Sequence, residues 1–542
     1  MKMRRLFLGL ALLAAITNIG AQSVQRPKLV VGIVVDQMRW DYLYRYYNRY
    51  SGDGGFKRFL NEGFTCENTF IPYTPTITAC GHTCIYTGSV PAFHGITGNT
   101  WWDNQQKRQV YCAEDTTVKS VGSNDDAGRM SPKNMLTNTV CDELKLATNF
   151  RSKVVGIAIK DRGGILPAGH SADAAYWYNS KTGDWISSTY YMNDLPKWVK
   201  DINSQKQPDK YFEKGWNTLY PIESYTQSTE DENKYENKPL GKNSFPYDLK
   251  QAIGKNYGIL PLLPYGNTFT ADMAKAVIIN EGMGKDSVTD FLTVSFSTPD
   301  YIGHNFGPNS IEQEDDFLRL DKDLGDFFKF LDKEVGAGQY TVFLSADHGA
   351  AHVPAFVKTH KMPGGNLNDD ELVEKMNKAL NDKFGKDGLI EAAYNYQIFL
   401  NHDLINSSKK INLQDVQQTV VDMLVTQPGI ARAFILDKVS EQTLPQRLKD
   451  MVSNGYFPRR SGDIQVIFEP QWIESFLAGG TTHGLWNPYD SHIPLLWYGW
   501  GIKQGKSNRE MYMTDIAPTI SALLHIQMPN GNIGKVIEEV MK

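Results

Sequence analysis

The chain has 542 residues, of which 41% are apolar and 22% charged. That suits one large globular domain carrying insertions. A formal charge of -5 argues against a protein that grips nucleic-acid phosphates, and no nucleic-acid partner is expected.

The first residues read as a secretory signal, residues 1–21. Lys2, Arg4 and Arg5 form the charged start, Leu6 to Ile19 the apolar run, and Gly20-Ala21 the small residues before a cut at Gln22. The run is short for a bilayer span, and no cysteine follows it for lipid attachment. The mature chain is expected to be periplasmic or secreted, with no stable membrane anchor. Cys66, Cys80, Cys84, Cys112 and Cys141 lie in the first third. They read as core residues first and disulfide partners second, since an odd number leaves one thiol over.

Apolar strand runs alternate with helical patterns along the chain. Lys28 to Val35 ends at Asp36. Lys153 to Ile159 ends at Lys160, Phe291 to Ser297 precedes Asp300, and Tyr340 to Ser345 precedes Asp347-His348. Ile493 to Tyr498 follows His483. Helical patterns cover Phe56 to Glu62, Met135 to Thr148, Thr268 to Glu281, Glu312 to Lys333 and Met513 to Leu524. The alternation predicts an α/β fold with a largely parallel central sheet and helices on both faces. Residues 22–542 are expected to form a single catalytic domain. Insertions near 172–265 and 355–480 would wall the site as inserted subdomains.

Ligands of parallel sheets bind beyond the carboxyl ends of the strands, where polar residues here recur. Asp36, Asp300, His304, Asp347, His348 and His483 are candidate metal ligands. Mixed Asp and His without Cys suits zinc or a similar divalent ion; spacing alone does not divide them between two ions. Thr78, in Pro75-Thr-Ile-Thr-Ala-Cys-Gly-His82, opens a helical segment that Gly88 stops. A hydroxyl there lies in the field of free N–H groups, which favours an alkoxide or a phosphoryl group.

These segments resemble the alkaline phosphatase superfamily. The resemblance rests on Pro75–His82, Tyr86–Asn99, Val34–Arg39, Ile159–Arg162, Thr298–His304, Ser345–Gly349 and Thr482–Gly484, in order along nearly the whole mature chain. It points to the threonine-nucleophile branch, which includes nucleotide pyrophosphatase/phosphodiesterases and PafA-type bacterial alkaline phosphatases. The resemblance implies two Zn2+ per chain. One would be held by Asp300, His304 and His483, the other by Asp36, Asp347, His348 and the Thr78 oxygen. It implies phosphate contacts from Asn99, Lys160 and Arg162. The diesterase relatives have Phe-Pro-Asn-His after the nucleophile, where this chain has Ala79-Cys80-Gly81-His82.

Charge counting selects the substrate. Two divalent ions against three carboxylates and a threonine alkoxide leave a core of about zero charge. Lys160 and Arg162 then match a phosphate monoester dianion. The expected activity is a two-zinc alkaline phosphatase, a phosphomonoesterase acting on small phosphate monoesters through a phosphothreonine intermediate; a monomer is one option, and the sequence does not reveal the oligomeric state. Its alternatives are a phosphodiesterase or nucleotide pyrophosphatase on the same scaffold, and a zinc- or phosphate-binding protein without turnover.

Overall fold

The computed structural model describes residues 24–475 and 479–542; the signal segment lies outside them. A ten-stranded sheet forms the centre. Its five middle strands are parallel, in the order Tyr340–Ser345, Leu29–Val35, Asp290–Phe296, Val154–Ala158 and Ala174–Asn179. Every residue of Leu29–Val35 is buried, as a strand covered on both faces requires. Each such Val or Ile contributes roughly 1.5–3 kcal/mol of burial. The last expected strand is displaced and reversed. Leu495–Gly499 runs antiparallel beside Tyr340–Ser345, while His492–Ile493 pairs with Thr69–Phe70 in a separate small sheet.

Register places the chemistry. Val35 pairs with Phe296, Val34 with Ser345, and Ser295 with Ala158. The residues that follow these strands therefore emerge at one level, and Asp36, Asp300, Asp347 and Lys160 come from four neighbouring strand ends.

The helices follow the pattern with shifted ends. Gly55–Glu62, Tyr265–Asn280 and Ile311–Leu331 lie where the periodicity predicts. Met135 to Thr148 shortens to Val140–Ala147, because Thr139 and Asp142 close a capping box there. The stretch 172–265 opens with Ala174–Asn179 and Asp184–Ser188, two strands of the central sheet itself. It then wraps the sheet with short helices.

Within 355–480 a four-stranded antiparallel sheet forms, in the order Ile390–Tyr394, Gln397–Leu400, Ile464–Phe468 and Ile430–Ile435. Helices Asp369–Phe384 and Leu413–Leu424 pack on it through Met376, Leu380, Val416 and Val420, in a core separate from that of the main sheet. All five cysteines are free and buried.

The helix Thr78–Thr87 is buried throughout and ends at Gly88 in the left-handed region (φ 63). It rests directly on the Asp347 backbone at Gly81, where an added Cβ would lie 2.4 Å from the Asp347 carbonyl oxygen. Gly81→Ala should therefore cost about 1–3 kcal/mol of stability and tilt Thr78 away from the strand ends. Thermal unfolding together with turnover checks this; wild-type values for both would show that the close contact is not needed.

Candidate active site

Every metal-ligand candidate converges at the carboxyl ends of the central strands. His304 lies one helical turn after Asp300 on the helix Thr298–Phe306, so both face the same side. His304 Nε2 is 3.1 Å and His483 Nε2 3.7 Å from Asp300 Oδ1. On the other side of Asp300, His348 Nε2 is 3.5 Å from both Asp36 Oδ1 and Asp347 Oδ2. Thr78 Oγ1 lies 3.3 Å from the same nitrogen. Among the described residues, two groups have ligand atoms close enough to share an ion: Asp300, His304 and His483, and Asp36, Asp300 and His348. The first is the expected set. The second contains Asp300 where Asp347 was expected, although Asp347 touches the same imidazole.

The imidazoles are oriented by backbone. His304 Nδ1 is bonded to the Thr481 carbonyl at 2.8 Å, His348 Nδ1 to that of Gly349 at 2.9 Å, and His483 Nδ1 to that of Thr76 at 2.7 Å. A carbonyl only accepts, so each Nδ1 carries a hydrogen and Nε2 is the nitrogen turned toward the carboxylates. That is the arrangement of a metal-ligating histidine.

The electrostatics agree. Burial first, then His348 and His304, holds His483 well below its ordinary range, and burial lowers His348 as well. Both are thus neutral donors. Burial would lower His304 too, but the Asp300 carboxylate outweighs it and the net shift is upward. Burial, then Asp347, raises Asp36 well above the carboxylate range. Burial also opposes the Asp300 charge, but His304 and Lys160 overcome it and hold that carboxyl well below its usual value.

Asp36 Oδ1 and Asp347 Oδ2 are buried without a hydrogen bond. His82 Nδ1 approaches Asp347 Oδ2 at 3.3 Å, but it is engaged 2.9 Å away at the Thr78 carbonyl. Buried carboxylate oxygens left in this state suit a cation. The donor set therefore fits divalent metal.

The expected phosphate contacts divide. Asn99 Oδ1 accepts from the Ala79 N–H at 3.0 Å, beside Thr78, which leaves its amide hydrogens as donors. Arg162 Nη1 donates to the Tyr111 hydroxyl at 3.1 Å, and its buried Nε has no partner. Lys160 instead bridges Asp36 Oδ2 at 2.8 Å and Asp300 Oδ2 at 2.5 Å.

Several supporting residues were not foreseen. Gln37, in the left-handed region (φ 65), donates to Asp300 Oδ1 at 2.7 Å. His82 ties Thr78 to the sheet through Ser295 Oγ at 2.8 Å. Tyr396, also left-handed (φ 62), donates from its hydroxyl to the His483 carbonyl at 2.7 Å. Its neighbour Asn395 donates to the Thr100 carbonyl at 2.9 Å. The positive φ of Gln37 and Tyr396, uncommon for non-glycine residues, is visible only in coordinates. His94 is a buried structural residue whose Nδ1 accepts from the Ile96 N–H. His352 bonds Asn309, and His492 stacks between Trp40 and Phe70.

Residues 30–486 match the family described as type I phosphodiesterase / nucleotide pyrophosphatase. The chain is 55% identical over 526 residues to the alkaline phosphatase PhoV of Synechococcus elongatus, covering 96% of this chain and 94% of PhoV. It is 52% identical over 530 residues to the alkaline phosphatase PafA of Elizabethkingia meningoseptica, covering 96% of each. The crystal structure of wild-type PafA superposes with a TM-score of 0.94 at 51% identity, over 96% of this chain and 100% of that one. A Myroides odoratus protein named calcium-transporting ATPase is 51% identical over 530 residues, 97% of this chain and 96% of its own. No helix among the described residues is long and apolar enough to cross a membrane. On motif order, sheet topology and these likenesses together, the chain belongs to the type I phosphodiesterase / nucleotide pyrophosphatase family and, within it, to the PafA-type alkaline phosphatases.

Proposed function

We propose that the protein hydrolyses small phosphate monoesters with Thr78 as nucleophile, releasing inorganic phosphate and an alcohol. The observation that carries this reading is the set of three imidazoles, each with Nε2 turned toward buried carboxylates, around one buried threonine hydroxyl. Asp300, His304 and His483 would hold one zinc ion. Asp36, Asp347, His348 and Thr78 would hold a second, with Asp300 between the two sites. Bound there, the ions would supply Lewis acidity, easing loss of the Thr78 proton and stabilising the departing alkoxide.

The chain's own residues do the rest. Thr78 Oγ1 attacks phosphorus, its new P–O bond forming as the ester oxygen leaves with its electron pair. Asn99 donates to a phosphoryl oxygen from the position that its bond to the Ala79 N–H fixes. Arg162, whose guanidinium is held by Tyr111 and keeps its Nε free, pairs with the phosphoryl charge. Lys160 adds a second positive charge. Water then cleaves the phosphothreonine and restores the hydroxyl. Residues 22–542 act as one catalytic unit, with the segments near 172–265 and 355–480 walling the site. The basic and apolar start of the chain supports export and removal of a signal segment, which would put the enzyme in the periplasm or outside the cell.

Thr78→Ala should reduce p-nitrophenyl phosphate hydrolysis by about a thousandfold or more while the ligand cluster survives. Turnover at the wild-type rate would remove the nucleophile assignment. Arg162→Ala should impair p-nitrophenyl phosphate far more than bis-p-nitrophenyl phosphate, because the monoester carries the extra charge. Equal losses would favour the diesterase reading instead.

Chelation should abolish turnover and lower Tm, and zinc should restore both. The sign of the pH effect follows from Asp36. Its folded pKa is raised, so the cation-free fold loses stability as pH rises through that value. A bound cation removes this cost, and the Tm gain on adding zinc should grow as pH rises from the ordinary carboxylate range toward the raised value. A gain that shrinks over this interval would count against a cation on Asp36.

A further inference from the structure

A cavity of about 860 Å3 opens onto the site, with Asn99, His304 and His483 at its inner end. Trp102, Tyr394 and Tyr396 form aromatic walls. Asp369, Asp370, Glu374, Glu391 and Glu474 also line it, and among the described residues no Lys or Arg does. An ester held with its phosphoryl group at Thr78 must place its alcohol portion here.

The acids are not equivalent. Glu391 accepts from Trp102 Nε1 at 3.1 Å and from Lys107 Nζ at 3.2 Å. That offsets its charge and holds the indole as a fixed wall. Glu474 is bonded to Asp369; burial and this neighbour push it up to about 8, so near neutral pH the two behave as one negative charge. Asp370 and Glu374 sit four residues apart on the helix Asp369–Phe384, both exposed, and present two more charges on one face. Carboxylates beside aromatic faces are the usual surroundings of an ammonium group.

We propose that this cavity is the leaving-group subsite, and that it selects phosphate monoesters whose alcohol portion carries an ammonium over those whose alcohol portion carries a carboxylate. The inference rests on the monoesterase reading above. Neutral polyol leaving groups fall between the two. Asp370 and Glu374 set the preference by charge alone, without touching the phosphoryl group.

The test compares kcat/KM for phosphoethanolamine, glycerol 3-phosphate and 3-phosphoglycerate on the zinc-loaded protein. At low salt the ammonium ester should exceed the carboxylate ester by about tenfold, and the ratio should shrink at high ionic strength. The double variant Asp370→Asn, Glu374→Gln, on exposed positions, should cut that ratio by about threefold or more. Equal efficiencies for the three esters would overturn the inference while leaving the monoesterase reading intact. So would a ratio unmoved by the double variant or by salt. Turnover of none of them, p-nitrophenyl phosphate included, would overturn both.

Discussion

Asp36, Asp300 and Asp347 are buried together at the ends of three adjacent parallel strands, and the rest of the site is arranged around their mutual repulsion. Water does not screen them there, so each charge must be met by a proton or a cation. Lys160 meets part of it, and so does His304, which Asp300 shifts upward. Part is left: Asp36 is driven toward its protonated form, and one oxygen of Asp36 and one of Asp347 have no hydrogen bond. A centre with this shortage of positive charge attracts divalent ions.

The scaffold meets a second requirement, orientation. The carbonyls that hold the imidazoles belong to Thr76, Gly349 and Thr481, in three segments distant in sequence. His82 takes the Thr78 carbonyl in the same way and reaches the sheet at Ser295. A correctly aimed cluster therefore exists only once the strand ends, the Thr78 helix and the 479–484 loop have all docked. The small four-stranded sheet joins this arrangement through its hairpin tip. Asn395 and Tyr396, both left-handed, reach the Thr100 and His483 carbonyls. In a two-residue turn of this type Asn is common and Tyr is costly. The strain at Tyr396 is retained where its hydroxyl meets the loop that carries His483, as strained residues at functional sites often are.

The same hairpin and the helix beside it form one wall of the cavity in front of Thr78. In the proposed reaction the central sheet supplies the groups for phosphoryl transfer. In the same proposal the segment between residues 355 and 480 supplies the surroundings of whatever is attached to the phosphate. Differences in substrate preference can arise in that segment without disturbing the strand ends.

The sequence by itself determined the parallel sheet, because unbroken apolar runs such as Leu29–Val35 can be buried only between two helical layers. It also located the candidate ligands, since Asp36, Asp300, Asp347 and His348 lie within a few residues after such runs. Periodicity did not reveal the reversed direction of Leu495–Gly499, because an apolar strand reads the same in either direction. It missed Gln37, His82 and Tyr396, ordinary residue types whose roles depend on partners up to several hundred positions away. Nor could it say that Lys160 bridges Asp36 and Asp300. Only the tertiary structure decided these points, because it alone fixes which buried charges and lone pairs face one another.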